Sequence, residues 1–214
     1  MAYFIGYFSA LIMALSIHEW AHAYIAYKNG DHTAKVMGRM TLAPFAHIDI
    51  WGLLCLWFIG FGWAKPVPVD ARNFKKGKTS ALFISLAGIM ANLVVGTIAI
   101  IILCAINQFA PNFQTDWGVY GTSLHTFLNT SIQINFVLMF FNLLPIYPLD
   151  GFRVIETYAN PNSGFVNFMR RYSSFILIAV VFFSPLLDYY FSFTAYNLID
   201  GITYIFTKLF GLLG

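Results

Sequence analysis

Residues 2–27 read AYFIGYFSALIMALSIHEWAHAYIAY, a predominantly apolar run with His18-Glu19-Trp20-Ala21-His22 set inside it. A membrane-crossing helix needs about 20 mostly apolar residues. This run has that length, so it predicts a helix that Asn29-Gly30 then stops. The rest of the chain agrees. Its 214 residues are 59% hydrophobic, 19% aromatic and only 10% charged, where a soluble domain carries about 25% charged residues. Mean hydropathy is +0.70. A 24.2 kDa particle has too little interior to hide that much apolar surface from water, and disorder requires the opposite composition. The chain therefore reads as an all-α polytopic protein embedded in a lipid bilayer. A net charge of +3 gives no reason to expect nucleic acid as a partner. Cys55 and Cys104 lie in apolar runs and read as buried, reduced thiols rather than a disulfide or a cysteine zinc site. Ala21-His22-Ala23 loosely resembles a signal cleavage site, but no Lys or Arg precedes the run, so it reads as a retained span.

Further spans are expected at about 79–106, 122–144, 172–191 and 195–213, which with the first makes about five. The run 48–63, IDIWGLLCLWFIGFGW, is different: it is short and carries glycines. Lys28, Lys35 and Arg39 precede it, and Lys65, Arg72, Lys75, Lys76 and Lys78 follow it. Basic loops mark the cytoplasmic face, so both flanks lie on one side and the run reads as a re-entrant Pro/Gly-rich segment. Such backbone is tolerated only where protein or a cavity covers it. The loop around Asp116, in a stretch without Lys or Arg, falls outside, and the loop around Arg153 is cytoplasmic. With no internal repeat and no room for an appended soluble domain, residues 1–214 read as one membrane-embedded domain. Its core covers about 1–160, with C-terminal helices at about 165–214.

The chemistry sits in the first run. Residues four apart share a helix face, so His18 and His22 can turn ring nitrogens toward one ion, as zinc requires. Glu19 lies beside them, placed to act as general base on a metal-bound water. The chain has only two glutamates, Glu19 and Glu156. A charged group at the centre of a span costs about 2.5–3.5 kcal/mol and is functional by default. A catalytic zinc usually takes a third protein ligand. His125 lies near the external end of its span. Asp150 follows Asn142-Leu143-Leu144-Pro145-Ile146-Tyr147-Pro148-Leu149, where the prolines unwind the chain and let a carboxylate turn back. A helix N-cap or an Asp-Gly turn would also place an aspartate there. Parity favours the ligand. With the run 48–63 re-entrant, Asp150 and His22 emerge on the same face; if that run crossed, about 30 Å of hydrocarbon would divide them.

The sequence resembles the site-2 protease family of intramembrane zinc metalloproteases. His18-Glu19-x-x-His22 matches its zinc motif, and Asn142-Leu143-Leu144-Pro145 running into Pro148-Leu149-Asp150-Gly151 matches its second motif. Gly88-x-x-x-Asn92 matches a third, and Gly62-Trp63-Ala64-Lys65-Pro66-Val67-Pro68-Val69 looks like the compact subgroup without a PDZ domain. Ile89 stands where the family usually has proline, and Ala43 where asparagine is frequent; both lie away from the metal motifs.

The resemblance implies one Zn2+ per chain held by His18, His22 and Asp150, with Glu19 as general base. It also implies peptide-bond hydrolysis within or near transmembrane segments of a membrane-protein substrate, in regulated intramembrane proteolysis. The expected location is a prokaryotic inner membrane, with the site toward the cytoplasm. Asn142 is a candidate donor to the oxyanion or the substrate backbone, with an interhelical bond as its alternative. Asn92 shares a face with Ser85, Gly88 and Gly96, so it serves either close helix packing or substrate contact. The competing readings are a metal-ion or proton transporter and a metal-binding membrane protein without proteolysis.

Overall fold

The computed structural model describes residues 2–59, 62–160, 162–183 and 185–213. The helices are α1 (Ala2–Lys28), α2 (Thr33–Val36), α3 (Ile50–Ile59), α4 (Lys78–Phe109), α5 (Phe113–Asp116), α6 (Gly118–Asn142), α7 (Asp150–Tyr158), α8 (Gly164–Phe183), α9 (Leu186–Phe191) and α10 (Asn197–Gly211). No β-strand occurs among the described residues. Among the described residues, three helices are long and apolar enough to cross a membrane by length and composition: Lys78–Phe109, Gly118–Asn142 and Gly164–Phe182.

Element ends follow local chemistry. After α1 the chain turns at Gly30, with φ +102. A Cβ on Gly30 would lie 2.8 Å from the Asn73 carbonyl oxygen, so only glycine serves. The expected span at 172–191 is corrected. The helix starts earlier, at Gly164, and ends at Phe183, and Pro185 precedes a separate short α9. Proline lacks the N–H and its ring clashes with the preceding turn, so one continuous helix through 185 is disfavoured. The final run is likewise divided, into a π-turn at Ser192–Tyr196 and the 15-residue α10. In the run 48–63, α3 is 10 residues long. Ile48 and Ala64 form an antiparallel bridge, and the Lys65 N–H donates to the His47 carbonyl at 2.8 Å, so the two ends of this segment meet. Cys104 is buried as expected, but Cys55 is only partly so; both are free thiols.

The chain divides into two compact units, cut within α1, α4 and α8 and after α6. One comprises residues 15–91 and 143–173 and carries every histidine and carboxylate singled out above except His125 and Asp116. The other comprises residues 1–14, 92–142 and 174–214. Its core is apolar, built on Ile100, Leu128, Ile132, Phe136 and Ala195. Gly96 lets the Phe136 ring pack directly on α4, since a Cβ there would lie 2.7 Å from Cε2 of that ring. Inside the same unit the Asn92 amide donates to Asn135 Oδ1 at 2.8 Å, and Asn135 in turn donates to the Ser131 carbonyl. Both asparagines are fully buried, where a polar group is tolerated because it is hydrogen-bonded.

Candidate metal centre

His18 and His22 lie one turn apart on α1, and both are buried. Asp150 is the first residue of α7, with Leu149 at the N-cap position. The helix N-terminus favours a negative charge there. The turn that delivers it is tight, since a Cβ on Gly151 would lie 2.8 Å from the Leu144 carbonyl oxygen and nearer still to that of Leu143. The result is a triangle of donor atoms. His22 Nε2 lies 3.1 Å from His18 Nε2 and 3.0 Å from Asp150 Oδ2, and His18 Nε2 lies 3.2 Å from the same oxygen.

The chemistry of this donor set fits a cation. His22 Nδ1 lies 2.7 Å from the Ile84 carbonyl oxygen. A carbonyl only accepts, so Nδ1 carries the ring proton and Nε2 of the neutral ring carries a lone pair. That lone pair faces an acceptor carboxylate and a second imidazole nitrogen in a buried site. A metal ion resolves the conflict, and a second ring nitrogen bonded to a backbone carbonyl is the usual way of fixing a metal-binding histidine. Tetrahedral ligands about 2.0–2.1 Å from zinc are separated by about 3.3–3.4 Å, close to the triangle's edges. His18, His22 and Asp150 form the cluster able to hold a metal among the described residues.

The wall beside this triangle is Gly88 on α4. A Cβ there would lie 2.5 Å from Nε2 of both His18 and His22, so any side chain would occupy the space between the ligands. The sequence reading placed Gly88 on a small-residue face; its position against both imidazoles is visible only in the fold.

Glu19 is partly buried, and its Oε2 accepts from the Val67 N–H at 2.8 Å. Val67 belongs to an extended strap, residues 65–70, and loop 29–39 anchors that strap on both sides. The Arg39 guanidinium donates to the carbonyls of Lys65 and Pro66 at 2.8 and 3.2 Å. Asp31 is buried and accepts from the Asp70 N–H at 2.7 Å, from Asn73 Nδ2 at 3.0 Å, and from the N–H and hydroxyl of Thr33. Burial pushes the Asp31 carboxyl up, but these donors outweigh it and hold the group below its ordinary range. Asp31 was not among the candidates read from sequence; an aspartate after Asn-Gly looks like an ordinary turn residue.

The other candidates lie as follows. Asn142 ends α6 and donates to the Leu138 carbonyl one turn back at 3.0 Å. Asn92 is bonded to Asn135, as described above. Two polar residues at the start of the 48–63 segment, not among those candidates, are bonded locally: His47 is buried with Nε2 2.7 Å from the Thr41 carbonyl, and Asp49 accepts from the Gly52 N–H at the start of α3. A cleft of about 770 Å³ adjoins the centre. Its lining includes Val67 and Ile84, the residues whose backbone groups hold Glu19 and His22, and also Lys78, Arg153, Glu156 and Arg170.

The chain is 40% identical over 179 residues to a Bacillus subtilis protein named "Putative zinc metalloprotease YwhC", covering 84% of this chain and 80% of that protein. It is 27% identical to the Mycobacterium tuberculosis protein named "Putative zinc metalloprotease Rip2", covering 92% of this chain and 74% of that one. It is 25% identical to "Zinc metalloprotease MJ0392" of Methanocaldococcus jannaschii, covering 74% of this chain but 36% of that protein. No protein-family model matches the chain, and no solved structure matches it significantly.

Proposed function

Because the chain belongs to the site-2 protease family of zinc metalloproteases, we propose that it is an intramembrane zinc endopeptidase. In this reading it cuts membrane-protein substrates within or near their transmembrane segments, in regulated intramembrane proteolysis. The observation that carries the reading is the buried triangle of His18, His22 and Asp150, with Glu19 next to His18 on α1. His18, His22 and Asp150 would hold the metal. A zinc ion bound there supplies Lewis acidity, polarising a peptide carbonyl and bringing the pKa of a water molecule to about 7.

The chain's own residues do the rest. Val67 ties down Oε2 of Glu19 and leaves Oε1 to take the proton of the attacking water. Glu19 then passes it to the leaving amine. Ile84 fixes the tautomer of His22. Asn142, at the end of α6, would give a hydrogen bond to the substrate backbone or oxyanion by exchanging its bond to Leu138. Asn92 would act through packing, its amide being committed to Asn135.

We place about five spans in a prokaryotic inner membrane, with residues 48–63 re-entrant, the site toward the cytoplasm and the chain acting as one protease domain. The meeting of the two ends of the 48–63 segment supports the re-entrant reading, because a segment crossing fully would leave its flanks about 30 Å apart.

Elemental analysis of the protein purified in detergent tests the centre. Wild type should carry one zinc per chain, Asp150→Ala none, and Glu19→Gln a full complement without cleavage of a single-span substrate. Zinc retained in full by Asp150→Ala would refute the ligand set. Cleavage by Glu19→Gln at the wild-type rate would remove the general base.

A further inference from the structure

The cleft beside the metal centre has a chemical asymmetry that proteolysis alone does not require. Its lining joins the apolar or small residues Val67, Ala81, Ile84 and Ser85 with the charged residues Lys78, Arg153, Glu156 and Arg170. Glu156 is committed, since Arg170 Nε donates to its Oε1 at 2.7 Å and the Arg170 Nη2 contacts the same oxygen. The Lys78 ammonium lies over the Tyr158 ring, and the Arg153 side chain is half-buried. Neither Lys78 nor Arg153 has an acidic partner among the described residues. Asp70, on the strap that lines the cleft, is already bonded to Arg72. The cleft therefore holds two cations with no internal counter-charge, one of them on the same helix as Asp150.

We infer that this cleft binds the substrate polypeptide in extended form and selects an acidic side chain about one to three residues from the scissile bond. This deepens the proteolytic reading and rests on it. The distance follows from α7. Arg153 lies three residues beyond Asp150, about 4.5 Å along the axis, and Thr157 about 10 Å. An extended chain advances about 3.3 Å per residue. A cleft of about 770 Å³ is of the size that takes a ligand of several residues. Arg153 is suited to the task, because a guanidinium pairs with a carboxylate through two parallel hydrogen bonds. An acidic group facing two otherwise unmatched cations completes the charge pattern.

The test uses zinc-loaded Glu19→Gln protein in zwitterionic nanodiscs and fluorescent single-span peptides. Each peptide carries one Asp, Gln or Lys placed in turn along the segment next to the apolar stretch. The Asp peptides should bind about tenfold more tightly than the Gln peptides at a narrow window of positions. Arg153→Gln should erase that preference, and Arg153→Glu should reverse it toward Lys. Zinc content verifies the folded centre in each variant, and Lys78→Glu provides a second, exposed position should Arg153→Glu fail to fold. Equal binding of Asp, Gln and Lys peptides, or no binding of any, overturns the inference. Cleavage by wild-type protein separates the two levels. Peptides cut without an acidic preference remove the inference alone. An acidic preference in binding, with no cleavage by zinc-loaded wild type, supports the site and removes the protease reading.

Discussion

The two compact units handle buried polarity in opposite ways. In the unit of residues 92–142 and its companions, Asn92 and Asn135 bond to each other and the donors run on to a helix carbonyl. That network is neutral and contains its own acceptors. In the unit of residues 15–91 and 143–173, the buried groups are imidazoles and carboxylates. His22 Nε2 and Asp150 Oδ2 face each other as acceptors, with His18 Nε2 beside both. The first pattern pairs neutral donors with neutral acceptors, and the second sets a carboxylate against an imidazole lone pair that a cation would bridge. Polar burial alone therefore does not mark function in such a chain; the sign of the mismatch does.

Four substitutions probe that contrast, in decreasing order of effect. Gly88→Ala should be the most severe, since its Cβ would lie 2.5 Å from both Nε2 atoms. Zinc should be lost, with cleavage falling at least about 100-fold as expected when a metal's immediate support is disturbed. Normal zinc content in a folded Gly88→Ala protein would show that the wall can shift.

Asp31→Asn comes next. It removes a buried carboxylate that collects several donors and should destabilise by roughly 2–3 kcal/mol, read as a lower melting temperature in detergent. Because the folded state holds Asp31 below its ordinary range, its contribution is full above the unfolded value near 4. It is lost as pH falls through the lower folded value. The difference between wild type and Asp31→Asn should therefore shrink on acidification below about pH 4. A constant difference would contradict the assignment.

Asn92→Leu should cost about 1–3 kcal/mol by stranding Asn135, with zinc content unchanged. Asn92→Leu combined with Asn135→Leu should recover part of the loss. Lost cleavage at unchanged stability would instead make Asn92 a substrate contact. Arg72→Gln should be the mildest. The Arg72 guanidinium holds Asp70 down at about 2, yet exposed ion pairs contribute little. Melting temperature and zinc content should match wild type, and a measurable drop would show the strap to be more dependent on that pair than its exposure suggests.

What could be read in advance depended on how local each signal was. His18 and His22 follow from helix periodicity within five residues. Asp150 lies 128 residues beyond His22, so its place in the centre depends on charge and membrane parity and on the second motif rather than on local periodicity. The breaks at Asn29-Gly30 and after Asn142 were legible as glycine and proline punctuation. Pro185 offered the same signal at the start of α9 but was submerged in apolar residues. Gly88, the Val67 N–H and the Ile84 carbonyl were not legible as parts of the centre. A glycine's necessity is defined by what lies against it, and a backbone group carries no side-chain identity. Asp31 escaped because burial, rather than residue type, distinguishes it from an ordinary loop acid.

The strap over Glu19 has one further property. Val67 is flanked by Pro66 and Pro68, and proline has no backbone N–H. Across these residues the chain offers Glu19 a single donor. Were the strap to slip by one residue in either direction, the carboxylate would meet a nitrogen without hydrogen. The paired prolines thus act as a key that admits one alignment of the strap and leaves the neighbouring alignments without a bond to replace it.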